Sequence, residues 1–438
     1  MKEKRENRNH LSWIRICMGL IFAVCLGMCL QVDADAAITK MPSKLVQTDA
    51  SSNFISFRWE KGSTDKNDGP YYVWEVSEDA SFTDIVRVGT ASGMETMGCD
   101  ELDAGKTYYV RIGVMEESKY IPDTTQIPSD VKWTSGVAMI TAPECITGNV
   151  KQTKASTSQM TISWNKVAGA NAYLVRYNKE KTKKYTEVMV NKNSCTLKKL
   201  SAGADYYIEI CPVNKSSKFT AVNKLNTSGF FSTVSNKVSG LKNLNMTDGS
   251  AKFIWNPMKN ARGYELAVTK YSNKWTKKNT MTLNQVYMRK AERVQFTNTK
   301  LKNGTFYKAR VRSYILLSDG TKAYSAWSNE ITFGSAPKKV NVKSNGKGIQ
   351  ISWSKVTGAT GYQIYVLEQG KKNYQKVTTV KAKTAKYTLK KINKKNLKSG
   401  KNYFIRITPI RKSGKTTASL NCKEAYKLFQ KSIWFYRW

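Results

Sequence analysis

A seven-residue pattern occurs four times in this chain: Leu102-Asp-Ala-Gly105-Lys-Thr-Tyr108, Leu200-Ser-Ala-Gly203-Ala-Asp-Tyr206, Leu301-Lys-Asn-Gly304-Thr-Phe-Tyr307 and Leu397-Lys-Ser-Gly400-Lys-Asn-Tyr403. Successive leucines lie 98, 101 and 96 residues apart. That period is the length of one small domain and far exceeds a solenoid repeat. The chain is therefore expected to fold as four copies of one domain-sized unit.

Each pattern opens a strand. Tyr108, Val110, Ile112 and Val114 alternate with other residues, as do Tyr206, Ile208 and Ile210, and Tyr403, Ile405 and Ile407. The third copy is weaker, with Tyr307, Ala309 and Val311. Alternation with period two marks a half-buried strand. The glycine falls in the preceding turn, where a positive φ is cheap only without a Cβ. The leucine plugs the end of a core. The tyrosine is placed to send its hydroxyl back to upstream backbone, the tyrosine corner of Greek-key sandwiches.

A second anchor lies about 50 residues upstream of each of those tyrosines. Ile55, Phe57 and Trp59 alternate, as do Met160, Ile162 and Trp164, then Ala251, Phe253 and Trp255, then Ile349, Ile351 and Trp353. Each series predicts a strand that points its tryptophan into a core. In the last three units an alanine follows six residues after the tryptophan and a tyrosine nine after: Ala170 and Tyr173, Ala261 and Tyr264, Ala359 and Tyr362. Trp74 alternates with Tyr72 and Val76 and is also expected in a core. Short strands between turn signals, without long helical periodicity, predict all-β sandwiches.

Tryptophan in the second strand, tyrosine in the third and Leu-x-x-Gly-x-x-Tyr before the sixth resemble fibronectin type III modules. Trp327-Ser328-Asn329 and Val234-Ser235-Asn236 resemble their last-strand region. The run from Ile351 to Tyr362 is similar to tandem modules on exported proteins of Gram-positive bacteria. The resemblance implies four tandem Greek-key β-sandwiches of fibronectin type III or immunoglobulin-like kind, used for spacing, display or adhesion, and implies no catalytic residues. The expected division is 1–36 signal peptide, then modules at 37–143, 144–240, 241–336 and 337–438. Ala142-Pro143, Ser239-Gly240 and Ala336-Pro337 mark short links, which predict a semi-rigid rod. Two departures stand out. The first module inserts the polar loop Gly62–Gly69, whose Asp65, Asn67 and Asp68 lack EF-hand spacing. The fourth lacks a last-strand signal and ends in the aromatic and basic run 429–438.

The N-terminus reads as a secretory signal: charged residues up to Arg15, an apolar run from Ile16 to Leu30, then Ala34-Asp35-Ala36, with cleavage expected after Ala36. About 15 apolar residues are short for a membrane span. Met28 before Cys29 argues against lipidation. The expected site is secreted or at the cell surface. Cys99, Cys145, Cys195, Cys211 and Cys422 remain after cleavage, an odd and scattered set that predicts free thiols. The single histidine, His10, lies in the signal, which removes histidine-based catalysis and most zinc sites from the exported chain. No cofactor is expected. The acidic cluster Asp100, Glu101 and Asp103 crowds one turn with no cleft implied, so no enzyme is expected.

The 438-residue chain has a formal net charge of +40. That charge is graded: −6 over 37–143, +10 over 144–240, +12 over 241–336 and +23 over 337–438. In the last module 22 of 25 basic residues are lysine, and Lys390, Lys391, Lys394, Lys395 and Lys398 cluster before Tyr403. Sequence-specific nucleic-acid recognition favours the planar arginine fork. Lysine suits diffuse attraction to a polyanion. The expected partners are anionic envelope polymers or acidic glycans, with other surface proteins also open and no specific nucleic acid. Membrane contact is expected only through the signal or the tail. The leading functional expectation is a non-catalytic binding and spacing protein held by its basic end. The alternative is an accessory carbohydrate-binding array beside polysaccharide-degrading enzymes, for which Trp275, among Lys274, Lys277 and Lys278, is the best platform.

Overall fold

The computed structural model describes residues 38–64, 71–115, 127–129, 131–180, 182–247, 249–283, 294–344, 348–420 and 423–429. Signal residues and Ala36, the loop residues Asp65, Asn67 and Asp68, Cys422 and the tail 430–438 lie outside them. The described residues form four sandwiches of one design. In the first, a three-stranded sheet of Ser43–Ser51, Phe54–Glu60 and Thr96–Cys99 faces a five-stranded sheet. That second sheet runs Val137–Ile140, Thr107–Met115, Tyr71–Ser77 and Ile85–Ser92, with Lys132–Trp133 also paired to Thr107–Met115. The same strand order returns three times, every pairing antiparallel. It places the Leu-x-x-Gly-x-x-Tyr strand at the centre of the larger sheet each time: Thr107–Met115, Asp205–Lys215, Phe306–Leu316 and Lys401–Ser413.

Each sandwich has its own core. Trp59, Trp164, Trp255 and Trp353 are all buried, and each meets the tyrosine of the next strand edge-on, with ring centroids 5.2, 5.2, 5.5 and 5.3 Å apart. T-shaped pairs of this kind add about 1 kcal/mol beyond their buried area. Trp74 is buried in the first core. Tyr108, Tyr206, Tyr307 and Tyr403 are buried, and their hydroxyls accept the backbone N–H of Asp103, Ser201, Lys302 and Lys398, each at 2.8 Å. The leucines divide: Leu102 and Leu200 are buried, Leu301 and Leu397 half-buried.

A second set of tyrosine corners was not foreseen. Tyr72, Tyr173, Tyr264 and Tyr362 accept the backbone N–H of Gly62, Val167, Met258 and Val356 at 3.1, 3.0, 2.8 and 2.8 Å. In the last three units donor and tyrosine are six residues apart. The bond closes the loop between the tryptophan strand and the tyrosine strand. Both ends of each sandwich are thus fastened by a phenol that satisfies a loop N–H otherwise costly to bury.

The last strand of the fourth sandwich, unsignalled in the sequence, is present. Lys423–Phe429 pairs with Lys401–Ile407 over seven residues, next to the hairpin strand Thr416–Ser419. Pairing with Gly361–Glu368 on one side and Thr416–Ser419 at its far end leaves Lys401–Ile407 a row of backbone donors and acceptors for one more strand, and backbone pairing does not require the Trp-Ser-Asn wording.

The sandwiches dock on one another through the same two turns. Gly105, Gly203 and Gly304 hold φ of +68°, +61° and +65° in the turn before the tyrosine strand. In the second, third and fourth sandwiches the turn five residues after the tryptophan also holds a left-handed residue: Gly169, Asn260 and Gly358, at +71°, +62° and +85°. At the first joint a Cβ added to Gly105 would come within 2.7 Å of Gly169 Cα. Asn214 and Asn223 donate to the link carbonyls of Thr141 and Pro143 at 3.1 and 2.7 Å. At the second, Asn260 donates to Gly203 O and Asp205 Oδ1, and Ser235 donates to Lys259 O. Ser318 adds reciprocal bonds with the Gln152 backbone at 2.7 and 3.1 Å. At the third, Thr357 N donates to Gly304 O and Phe306 N to Thr357 O, while the Phe306 ring is buried in the core of the fourth sandwich. Arg411 lies over the Tyr271 ring at 4.1 Å and donates to Gly358 O. A hydrogen bond with Ser413 and the nearby Arg411 guanidinium lower the Tyr271 pKa.

Candidate functional surface

The motif end of the fourth sandwich departs from the other three. In the first three, the last residue of the short strand before the motif (Cys99, Leu197, Asn298) precedes the motif leucine by three residues; in the fourth, Leu389 precedes Leu397 by eight. The five extra residues form a small hairpin, Lys391–Ile392 paired with Lys395–Asn396. Its turn residues Asn393 and Lys394 both hold positive φ, 45° and 64°. Two successive positive φ values make a type I′ turn, which matches the twist of a two-residue hairpin. Ile392 and Leu397 pack against the core. Asn393 Nδ2 donates to Gln375 Oε1 at 3.1 Å, tying the tip to the neighbouring edge strand Gln375–Lys381. The hairpin is thus a held element.

Its tip is all charge. Lys390, Lys391, Lys394, Lys395 and Lys398 are exposed. The turn Gln369–Tyr374 reaches the same end, where Asn402 and Gln369 exchange hydrogen bonds, and it presents Lys371 and Lys372. Among the described residues, no lysine of this sandwich forms a salt bridge. Gly400, the counterpart of the three docking glycines, has φ +74° and nothing within 4 Å of an added Cβ. The surface that carries the next domain three times over is here lysine-covered, with no described residue packed on its glycine.

Arginine is used differently from lysine. Arg111 lies between the rings of Phe82 and Trp133 at 4.2 and 4.3 Å and pairs with buried Glu75 at 2.6 Å. Arg312 lies over Tyr324 at 3.7 Å and near Trp327, and pairs with buried Glu265, which also accepts from Tyr324. Arg176 stacks on Tyr185 and Arg406 on Tyr374. These planar cations are spent on the sheet surfaces, where stacking and bidentate pairing favour arginine.

Trp275 is half-buried: Arg310 and Lys308 lie over its ring at 4.3 and 4.8 Å, and its indole N–H donates to Glu330 at 2.7 Å. A more open aromatic pair, missed in the sequence, is Tyr207 and Phe230, with centroids 4.9 Å apart and Phe230 69% exposed. It borders a cavity of about 380 Å³ at the second joint, lined also by Asn260, Arg262 and Leu316. The acidic turn at Asp100, Glu101 and Asp103 is occupied by cations: Glu101 pairs with Arg87 at 2.7 Å and Asp103 with Lys106 at 2.8 Å, which lowers the Asp103 pKa. Cys99, Cys195 and Cys211 are buried free thiols, and Cys145 is an exposed one.

The family model described as "Fibronectin type III domain" matches residues 141–223 and 335–423. Over those two segments the chain is similar to fibronectin type III domains. The matched segments fall on the second and fourth sandwiches, and the first and third share their strand order and both tyrosine corners. Among solved structures, the chicken CNTN1 FN1–FN3 domains match at 15% identity and TM-score 0.22, over 65% of this chain and 99% of that one. A two-domain fibronectin type III segment of chicken tenascin matches at 19% identity and TM-score 0.23, over 44% of this chain and 99% of that one. No curated protein matches the chain by sequence.

Proposed function

We propose that this protein is an exported, non-catalytic array of fibronectin type III domains that binds and spaces at the cell envelope, retained by electrostatic attraction between its basic C-terminal domain and anionic envelope polymers. One observation carries the reading: among the described residues, the fourth sandwich bears exposed lysines without salt-bridge partners at its motif end. The pinned joints support the spacing role, because hydrogen bonds to link carbonyls at the first joint and the inserted Phe306 at the third hold successive domains in fixed relation. The first domain, net negative, then stands away from a surface of its own sign.

The test is retention of the exported chain on purified envelope across a salt series. Binding near 0.05 M salt and release by roughly 0.5 M is the expected result, since screening at about 1 M shortens the Debye length to about 3 Å. Wash-off at low salt, or retention through 1 M, overturns electrostatic retention. The open Tyr207–Phe230 pair favours the second reading, a carbohydrate-binding array, for which neutral-glycan binding that survives 1 M salt is the signature.

A further inference from the structure

We infer that the lysine hairpin at residues 390–398 is a dedicated binding site for a linear, flexible polyanion, lying across the motif end of the fourth domain. The inference rests on the reading above and places its ligand contact at one element. Three facts converge. The hairpin is an insertion found in one domain of four, at the turn that elsewhere carries the next domain. It is a built structure, with a type I′ turn, an apolar residue packed inward and a side-chain tether to the edge strand. Its lysines face solvent with no carboxylate partner.

The side-chain chemistry selects the ligand class. An ammonium is a strongly hydrated point charge that meets single anionic groups in turn and imposes no planar geometry. Five of them on one short element match a polymer with charges repeated along its backbone. The described apolar side chains of the hairpin, Ile392 and Leu397, are turned into the core, so the tip has nothing to insert into a bilayer. A polymer is therefore the fitting occupant.

The experiment uses the chain from residue 37 onward and measures binding to linear inorganic polyphosphate, with polygalacturonate as the carboxylate arm and phosphatidylglycerol vesicles as the membrane arm. The hairpin variant carries Lys→Gln at 390, 391, 394, 395 and 398. The charge-matched control carries Lys→Gln at 339, 343, 355, 386 and 415. A flexible polyanion contributes a log–log salt slope of about −0.7 per neutralised charge. The hairpin variant should therefore lose about 3 from the slope, on the order of 100-fold in affinity at about 0.15 M salt. The control should lose less than about 5-fold. A second variant deleting residues 391–395 restores the three-residue spacing of the other domains, removes three of the five lysines and should lose about 2 from the slope, with folding checked by thermal melting. Equal losses in both lysine sets, or vesicle binding as tight as polymer binding, overturns the site while leaving electrostatic retention standing. Absence of binding to both polymers by the unaltered chain overturns retention as well. Polyphosphate over polygalacturonate assigns a phosphate-bearing polymer; the reverse assigns a uronic acid glycan.

Discussion

Replacing Gly105 by alanine, and separately Gly400 by alanine, separates the cost of a turn from the cost of a joint. Both glycines sit at the same motif position in left-handed backbone, φ +68° and +74°. An L-residue there costs about 1–2 kcal/mol. At Gly400 the new methyl meets nothing within 4 Å, so that strain is the whole effect. At Gly105 the methyl would lie 2.7 Å from Gly169 Cα and 3.1 Å from Ala168 O, both in the next domain and both backbone. Carbon atoms rest at about 3.5–4.0 Å, so the second domain must retreat by about 1 Å. Overpacking of this kind adds about 1–3 kcal/mol. The expected totals are about 2–5 kcal/mol for Gly105→Ala and about 1–2 kcal/mol for Gly400→Ala. Hydrogen exchange read by mass spectrometry resolves the domains. Gly105→Ala should speed exchange in strand Val137–Ile140 and around Gly169, where the joint closes, whereas Gly400→Ala should leave every joint protected. Equal losses from the two variants, with unchanged protection around Gly169, would refute the docking role of the motif glycine.

Four further outcomes are expected. Tyr403→Phe leaves the Lys398 N–H without its acceptor and should cost the fourth domain about 1–2 kcal/mol in urea unfolding, with the other domains unmoved. Arg312→Ala strands the buried Glu265 carboxylate with only the Tyr324 hydroxyl and should cost the third domain about 3 kcal/mol by calorimetry; Glu265→Gln on top of it should recover part of the loss. In a Cys422→Ser background, a thiol reagent at pH 8 should label Cys145 within minutes. Cys99, whose pKa burial pushes up to about 12, and the buried Cys195 and Cys211 should react only after unfolding. Partial desolvation would raise the Asp79 pKa, but hydrogen bonds from the Asp84 and Ser81 N–H groups and the Ser81 and Ser77 hydroxyls outweigh it and hold it well below the usual range. A depressed folded pKa gives stability that is full above about pH 4 and fades as pH falls further. Asp79→Asn should thus weaken the first domain at pH 7 and flatten the acid side of its stability curve, read by circular dichroism.

What could be read from the sequence was whatever repeats along it. Four leucines, glycines and tyrosines at domain spacing carry the central strand, its preceding turn and its corner bond, and four tryptophans carry the core. The second tyrosine corner was hidden because its donor is a backbone N–H, which any residue except proline supplies; only the six-residue step from Val167 to Tyr173 and its two repeats could have hinted at it. The joints were hidden for a different reason. Gly105 and Gly169 lie 64 residues apart in different domains and carry no shared pattern, and two of the three partners in the second turn are glycine while the other is asparagine. The five-residue hairpin was visible as a lysine cluster but not as an insertion, because its meaning depends on where the preceding strand ends. The last strand of the fourth domain was missed because a backbone edge recruits its neighbour with little regard for side chains. Trp275 looked free because its cationic partners Lys308 and Arg310 come from a strand more than thirty residues downstream.

The second and third domains each carry both halves of a joint: the turn after the tryptophan receives, and the turn before the central tyrosine gives. A duplicated copy inserted between two existing ones would bring a matching donor and a matching acceptor with it, so the array can lengthen or shorten by whole domains without inventing an interface. In the fourth domain no described residue packs on that turn, and it carries residues that would obstruct an internal joint. The lysine hairpin stands on that turn, where it leaves the three described joints untouched, which makes the fourth copy a place for a new specificity to arise.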